Sequence, residues 1–185
     1  MKSFTSSLAF FAASVQAGTI YDSCPDFEVM QNFDLDRYLG EWRDFGHDKD
    51  ISFQQDGGVC TTAMYSRNDD GSVRVRNNQY LEAWGEWDGT TGQAYEVDPE
   101  KKEGALKVQF KSWLPAGSYN VLDTDYDNYS IVYSCDGIGS WWNFEYLWIL
   151  TRADNPTEKV IKEAQDRIRM HLPEYDLEGQ FVYLP

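Results

Sequence analysis

The chain is poor in histidine and in positive charge, and each shortage excludes a class of function. It contains only His47 and His171, one in the first long loop and the other at a helix end, so neither a histidine-based metal cluster nor a Ser-His-Asp arrangement can be assembled around them. Its 16 Lys and Arg residues stand against 31 Asp and Glu residues, which gives a net charge of -15. That charge opposes binding to nucleic acid and to anionic membranes. We therefore predict no metal, no cofactor and no nucleic-acid partner.

Long apolar runs are also missing, except for a short one at the amino terminus. Lys2 precedes apolar residues 8–13, and Ala17 ends a small-residue cleavage site. No later segment approaches the roughly 20 apolar residues of a transmembrane helix. We interpret residues 1–17 as a secretory signal peptide and residues 18–185 as one domain. The mature protein is expected to be secreted and not to span a membrane.

Cysteine is scarce as well, with only Cys24, Cys60 and Cys135 in the chain. They are too widely spaced for a zinc knuckle or a thioredoxin-type pair. In a secreted protein, three cysteines imply one disulfide and one remaining thiol. The spacing leaves open which two of them pair.

Aromatic and β-branched residues are abundant from about residue 40 to residue 152, in short runs separated by turn signals. Residues 73–76 and 106–111 alternate apolar with polar or charged side chains, as half-buried strands do. The segment 68–71, Asn-Asp-Asp-Gly, is typical of a hairpin turn. We predict strands at residues 40–45, 61–65, 73–76, 93–97, 106–111, 119–122, 130–135 and 144–151. Eight strands can close into a barrel that holds one small ligand.

The pattern changes after residue 152, where Asn155 is an N-cap candidate and Pro156 suits the first helical position. An apolar stripe with helical spacing follows, so we predict a helix to about His171 and a last strand over residues 179–184. The predicted fold class is all-β: an eight-stranded antiparallel up-and-down β-barrel with a C-terminal α-helix.

Three short motifs resemble those of the lipocalin family and occur in its order. They are Gly-Glu-Trp at 40–42 after a short helical segment, Thr-Asp-Tyr at 124–126, and Leu-Trp-Ile-Leu-Thr-Arg at 147–152. Residues 105–108, 118–122 and 146–150 further resemble apolipoprotein D and the bacterial outer-membrane lipocalins. The resemblance covers roughly residues 24–185. It implies a secreted protein, not an enzyme, that carries a small hydrophobic ligand such as a retinoid, sterol, lipid or pigment.

The resemblance also implies structural roles for the motif residues. Trp42 would close the barrel floor, and the Arg152 guanidinium would stack on its indole face. Cys24 would pair with Cys135, which leaves Cys60 single. Asp123 takes an inward phase near the floor, where we expect it to pair with Arg43 or Arg152. The motif residues with structural roles are Gly40, Trp42, Thr124, Asp125, Tyr126 and Arg152.

The resemblance supplies the phase of the strands, from which the side chains facing the cavity follow. If Trp148 points inward, Tyr146 and Phe144 share its face, while Ala63 faces inward and Cys60 faces outward. The predicted ligand-binding residues are Tyr65, Asn77, Val108, Phe110, Tyr119, Val121, Tyr146 and Trp148. Each of them could instead simply pack the barrel, because a small eight-stranded barrel can be filled by its own side chains.

Cys60 and three loop tryptophans keep other functions open. Cys60 could be the thiol nucleophile of a lipid-metabolising enzyme similar to the prostaglandin isomerases of the family, although no basic neighbour is evident to activate it. Two copies could dimerise through Cys60, or through Trp113, Trp141 and Trp142 at the open end. Asn128 begins an N-glycosylation sequon and is a candidate for modification.

Overall fold

The computed structural model describes residues 20–21, 24–51, 58–138 and 142–184. The predicted signal peptide, residues 1–17, lies outside the described residues. The secondary-structure elements follow in chain order. They are β1 (Ile20–Tyr21), α1 (Leu35–Tyr38), β2 (Gly40–Asp48), β3 (Gly58–Arg67), β4 (Val73–Leu81), β5 (Glu86–Glu96), β6 (Ala105–Gln109), β7 (Gly117–Thr124), β8 (Tyr129–Ile138), β9 (Trp142–Thr151), α2 (Glu158–His171), α3 (Leu177–Gln180) and β10 (Phe181–Tyr183).

Strands β2 to β9 form a closed antiparallel barrel. Each strand pairs with the next along the chain, and β2 pairs with β9 to complete the circle. The closing pairs run from Arg43 opposite Thr151 to His47 opposite Trp148. The short strands β1 and β10 extend β9 and β2 beyond this closure. The predicted eight-stranded up-and-down barrel with a C-terminal helix is confirmed.

Strand β4 shows how the sequence produces the barrel wall. Val73 and Val75 are buried inside, whereas Arg74 and Arg76 are exposed outside. Successive side chains of a strand point to opposite faces, so alternating apolar and charged residues fix which face turns inward. A shift of one residue would bury both arginines, which keeps this register unique.

Most of the strands are longer than predicted, and β5 differs most. The prediction began it at residue 93, but the strand begins at Glu86 and pairs with β4 from there to Ala94. Residues 86–91 are exposed and include two acids and a glycine, so they carry no apolar alternation. Their strand conformation comes from hydrogen bonding to β4, which local sequence does not reveal.

The C-terminal elements differ from the prediction at their boundaries. Thr157, and not Asn155, is the N-cap of α2, because its side chain accepts a hydrogen bond from the Val160 backbone N–H. The predicted last strand is also too long at its start. Asp176 caps the one-turn helix α3 by accepting from the Gly179 N–H, and β10 begins only at Phe181.

Two apolar clusters lie on opposite sides of the barrel wall. The inner one fills the lower barrel and includes Trp42, Val73 and Val121. The outer one lies between the wall and α2, where Ala164 and Ile168 are fully buried. Burial on both faces explains the consecutive apolar side chains of residues 131–133 in β8 and 146–150 in β9, the strands that face both clusters.

A disulfide joins Cys24 to Cys135, as the resemblance implied. It ties the segment before the barrel to β8 across a sequence separation of 111 residues. A cross-link over so long a loop restricts the unfolded chain, which favours the folded state. Cys60 is a free, exposed cysteine.

Asp123 does not pair with Arg43 or Arg152, and this part of the prediction is wrong. The register between β7 and β8 shifts between Val121 and Asp123, so the simple alternation is broken there. The Asp123 carboxylate instead accepts a hydrogen bond from the Tyr129 hydroxyl and lies near Arg167 and His171 of α2. It joins the helix to the wall.

Arg43, one of the two partners expected for Asp123, lies on the outer surface of the barrel. Its guanidinium pairs with the carboxylates of Glu41 and Asp154. Both of these carboxylates are exposed to solvent, so the contacts add little to stability.

Arg152 closes the narrow end of the barrel, as the resemblance implied. Its guanidinium carbon lies 3.7 Å from the centroid of the Trp42 ring. The same group donates to the backbone carbonyls of Glu41 at 2.7 Å and of Leu39 and Tyr126 at 3.0 Å each. One side chain thus joins the entry to β2, the turn after β7 and the end of β9.

The other motif residues complete this closed end. Gly40 has φ of +98°, and a Cβ atom there would lie 3.3 Å from the Arg152 guanidinium, so only glycine fits without strain. The Asp125 carboxylate accepts backbone N–H bonds from residues 127, 128 and 129. Although partial burial opposes the effect, these bonds and that of the Asn128 side chain lower the pKa of Asp125. Thr124 accepts from the Tyr126 N–H.

We predict that Arg152→Lys lowers the free energy of unfolding by about 2 kcal/mol, because an ammonium cannot keep the stacking and the forked donation together. Urea denaturation of purified protein measures the change. Arg74→Lys on the exposed face of β4 is the control and should shift it by less than about 0.5 kcal/mol. Equal stability of Arg152→Lys and the parent would contradict the role assigned to this side chain.

Candidate functional site

A cavity of about 650 Å³ occupies the upper part of the barrel, above the inner apolar cluster. Strands β2 to β9 all contribute to its wall, and it opens at the end opposite Arg152. Seven of the eight predicted ligand-binding residues line it: Tyr65, Asn77, Val108, Phe110, Tyr119, Tyr146 and Trp148. These residues are therefore brought together around one space. Whether they contact a ligand stays a prediction.

Two side chains predicted to face the cavity do not line it. Val121 points inward as expected but is fully buried in the inner cluster, below the open space. Phe144 is half-buried near the beginning of β9 and is also outside the lining. The phase of a strand determines whether a side chain points into the barrel. How far the packed inner cluster extends along the barrel determines whether that side chain borders the cavity.

Apart from Asn77, the polar side chains of the lining were not predicted from the sequence. Asp44, Thr62, Ser134 and Asp136 all border the cavity. Asp44 was detectable, because it stands two residues after Trp42 and therefore shares the inward phase of that strand. Its carboxylate made it an improbable interior residue on composition alone, since unpaired buried charge is costly.

A chain of hydroxyl groups crosses the cavity floor. The Tyr119 hydroxyl lies 2.8 Å from those of both Tyr65 and Tyr38, and Tyr38 is 3.0 Å from Ser130 Oγ. Burial raises the pKa of Tyr38 to about 12 and also raises the pKa values of Tyr65 and Tyr119. These phenols therefore stay protonated at neutral pH, which makes them hydrogen-bonding groups of the floor.

Two carboxylates in the wall are held by named partners. Asp44 has a side chain only 4% exposed, and its Oδ2 lies 2.7 Å from His47 Nδ1. Nearer the mouth, Asp136 Oδ2 accepts from the Ser118 N–H at 2.8 Å and from the Ser118 hydroxyl at 2.9 Å. Lys107 Nζ is 3.7 Å from the other Asp136 oxygen. The cavity thus combines aromatic walls with a few fixed polar groups, an arrangement typical of small-molecule sites.

Comparison with known proteins identifies the family. A family model described as a Lipocalin-like domain matches residues 33–178. Apolipoprotein D of Cavia porcellus is 38% identical over 149 residues, covering 79% of this chain and 75% of that protein. The chain belongs to the lipocalin family. Outer membrane lipoprotein Blc of Vibrio cholerae is 38% identical over 144 residues, covering 75% of this lipocalin and 78% of Blc. The resemblance drawn from the three motifs is confirmed.

A solved structure supports the fold of this lipocalin. Insecticyanin from the tobacco hornworm Manduca sexta superposes with a TM-score of 0.74, over 91% of this chain and 87% of that one. The two sequences are 22% identical, so the likeness concerns the fold alone.

The mouth of this lipocalin carries exposed indoles. Trp113 and Trp84 are each 76% exposed, in the β6–β7 loop and the β4–β5 turn. Trp141 lies outside the described residues, and of Trp142 only the place in β9 is described. Cys60 is exposed and is not part of the cavity lining. Of the three tryptophans predicted in loops, Trp113 lies at the rim, whereas Trp142 belongs to strand β9. Dimerisation through any of the three stays a prediction.

The described residues offer neither a metal cluster nor a membrane-spanning helix. There, no three His, Cys, Asp or Glu side chains are grouped so that they could hold a metal ion. In the same ranges, no helix has both the length and the apolar character needed to cross a bilayer. Neither finding identifies a ligand.

We predict that Tyr119→Phe lowers the free energy of unfolding by about 1–2 kcal/mol, because it removes the central hydroxyl of the floor chain and separates Tyr65 from Tyr38. The matched control is Tyr95→Phe on the exposed face of β5, which should change it by less than about 0.5 kcal/mol. Urea denaturation compares the two. If both variants were as stable as the parent, the hydrogen-bonded row of hydroxyl groups would contribute nothing to stability.

Proposed function

We propose that this lipocalin is a secreted carrier that binds one small hydrophobic molecule in its barrel. The observation that carries the proposal is the cavity of about 650 Å³, which remains open above a well-packed floor. Its aromatic and aliphatic wall, including Phe110, Tyr146 and Trp148, suits a largely apolar ligand such as a retinoid, sterol, lipid or pigment.

The main alternative is a barrel that is filled by its own side chains. The lower part of the barrel interior is densely packed, since the side chains of Trp42, Val121 and Val132 have no exposed surface. By contrast, Val108, Phe110 and Trp148 are only partly buried against that cluster. An incompletely buried aromatic wall loses contacts that a bound apolar molecule would supply. This contrast favours a carrier over a filled barrel.

The relatives support the ligand class and the export of the protein. The name apolipoprotein D associates that relative with lipid, and we extend a lipid-like ligand to this chain as part of the proposal. Residues 1–17 would direct secretion, in agreement with the Cys24–Cys135 disulfide, which persists in oxidising compartments. Asn128 is exposed at the turn before β8 and would be accessible to glycosylation.

We predict that Ala63→Phe weakens uptake of retinol and of the neutral dye N-phenyl-1-naphthylamine by about tenfold or more, because the new ring occupies cavity space. Met64→Phe is the matched control, since the neighbouring side chain points outward and should leave uptake unchanged. Tryptophan quenching and dye fluorescence measure both. Native mass spectrometry and an absorption spectrum of protein from its source would identify cargo directly. Absence of bound mass together with absence of uptake by the parent protein would refute the carrier function.

Cys60 offers the second candidate function, a lipid-metabolising enzyme. Its exposure and its place outside the cavity lining disfavour this function, since a nucleophile must reach the bound substrate. We therefore predict that Cys60→Ser keeps the affinity for retinol within about twofold, measured by the same quenching assay. A prostaglandin-type substrate converted by the parent protein but not by Cys60→Ser would establish the enzyme instead. Non-reducing electrophoresis of the two proteins would also test a Cys60-linked dimer.

A further inference from the structure

We infer that the cavity selects ligands by charge and hydrogen bonding: it accepts an amphiphile whose polar group is a hydrogen-bond donor, neutral or cationic, and rejects a carboxylate. The inference rests on the proposed carrier function and goes beyond it by assigning the chemistry of the ligand's polar end. Asp44 and Asn77, in the walls of the cavity, carry it.

Asp44 places a carboxylate deep in the wall. It stands one inward position above Trp42 in β2, and its side chain is 4% exposed. A carboxylate only accepts hydrogen bonds, so the His47 ring N–H donates to it at 2.7 Å. A charge so shielded from bulk water acts more strongly on a neighbouring ligand than a surface charge does. A ligand carboxylate near Asp44 would therefore be repelled, and an ammonium attracted.

Asn77 supplies an independent acceptor on the β4 side of the cavity. Its side-chain oxygen is buried and has no hydrogen-bond partner among the described residues. It belongs to the cavity lining, so the group it lacks can come from a molecule in that space. A buried acceptor left without a donor costs free energy, and a ligand hydroxyl or amine would remove that cost. A carboxylate, which has no proton to donate, would not.

The remaining charges of the lining do not offset Asp44. Asp136 is compensated by Lys107 and by the Ser118 donors. Asp88 and Lys111 also border the cavity, and they are exposed residues with opposite charges near its mouth. Among the described residues, the one charge of the lining with little exposure to solvent is thus negative, which distinguishes the lower cavity from a fatty-acid site with a buried cation.

The test uses three probes with the same alkyl chain: 1-decanol, decylamine and decanoate. Each displaces N-phenyl-1-naphthylamine from the full-length mature protein at pH 8, where decylamine is a cation and decanoate an anion. Because decanol partitions from water more readily than either ion, the decisive quantity is the ratio of decylamine to decanoate affinity. In the parent protein we expect decylamine to bind at least about tenfold more tightly than decanoate, with decanol also ahead of decanoate.

Asp44→Asn removes the buried charge and keeps an oxygen that can accept from His47. It should reduce the decylamine-to-decanoate ratio by about fivefold or more. Asp69→Asn, in the exposed β3–β4 turn, changes the net charge equally and should leave the ratio unchanged. Circular dichroism and the thermal midpoint confirm that both variants fold. If Asp44→Asn were unfolded, the same displacement assay would be carried out on Asn77→Leu. This variant lacks the buried acceptor, so we expect it to lose affinity for decanol relative to decanoate.

The outcomes separate the two claims. Decanoate binding as well as decylamine in the parent, or an equal change in Asp69→Asn, would overturn the inference while leaving the carrier function intact. Failure of the dye and of all three probes to bind would refute the carrier function itself, and the inference with it.

Discussion

The stacking of Arg152 on Trp42 is the contact on which the rest of this barrel depends. A closed barrel needs one end sealed against water, and here a cation with several donors both covers the indole and occupies carbonyls from three chain segments. The seal places the inner cluster at one end. The cavity formed by the described residues consequently lies toward the other end, beneath the exposed rim.

The wall works as a partition between two apolar regions. Outside it, α2 covers β8 and β7 through Ala164 and Ile168, and the ionic contacts of Asp123 with Arg167 and His171 attach the helix. Because this packing supports the wall from outside, the interior does not have to be filled completely for the fold to be stable. A cavity is therefore compatible with a rigid barrel, and the disulfide to β8 strengthens the same side.

Polar groups in the interior are costly, so their positions carry information about function. The hydroxyl chain of Tyr65, Tyr119 and Tyr38 satisfies itself at the floor, and Asp44 is paired with His47. Asn77 has a buried oxygen that the described residues leave without a partner. Hydroxyls that satisfy one another contribute to the architecture, whereas the Asp44 charge and the Asn77 oxygen border the cavity and can act on a ligand. The affinity of this lipocalin should accordingly depend on the donor groups of its cargo.

Alternation in β4 and the count of eight strands predicted the barrel from local patterns. The capped floor and most of the cavity wall followed from the resemblance of the motifs at Trp42 and Arg152 to those of the lipocalins, which supplied the phase of the strands. The sequence thus contained the barrel, its floor and most of its wall. It did not determine the first half of β5, the partners of Asp123 or the depth at which Val121 is buried. Those depend on pairing with β4, on a register shift opposite β8 and on how high the packed floor rises. Each of these features is set by residues distant in sequence, whose mutual distances no local pattern contains.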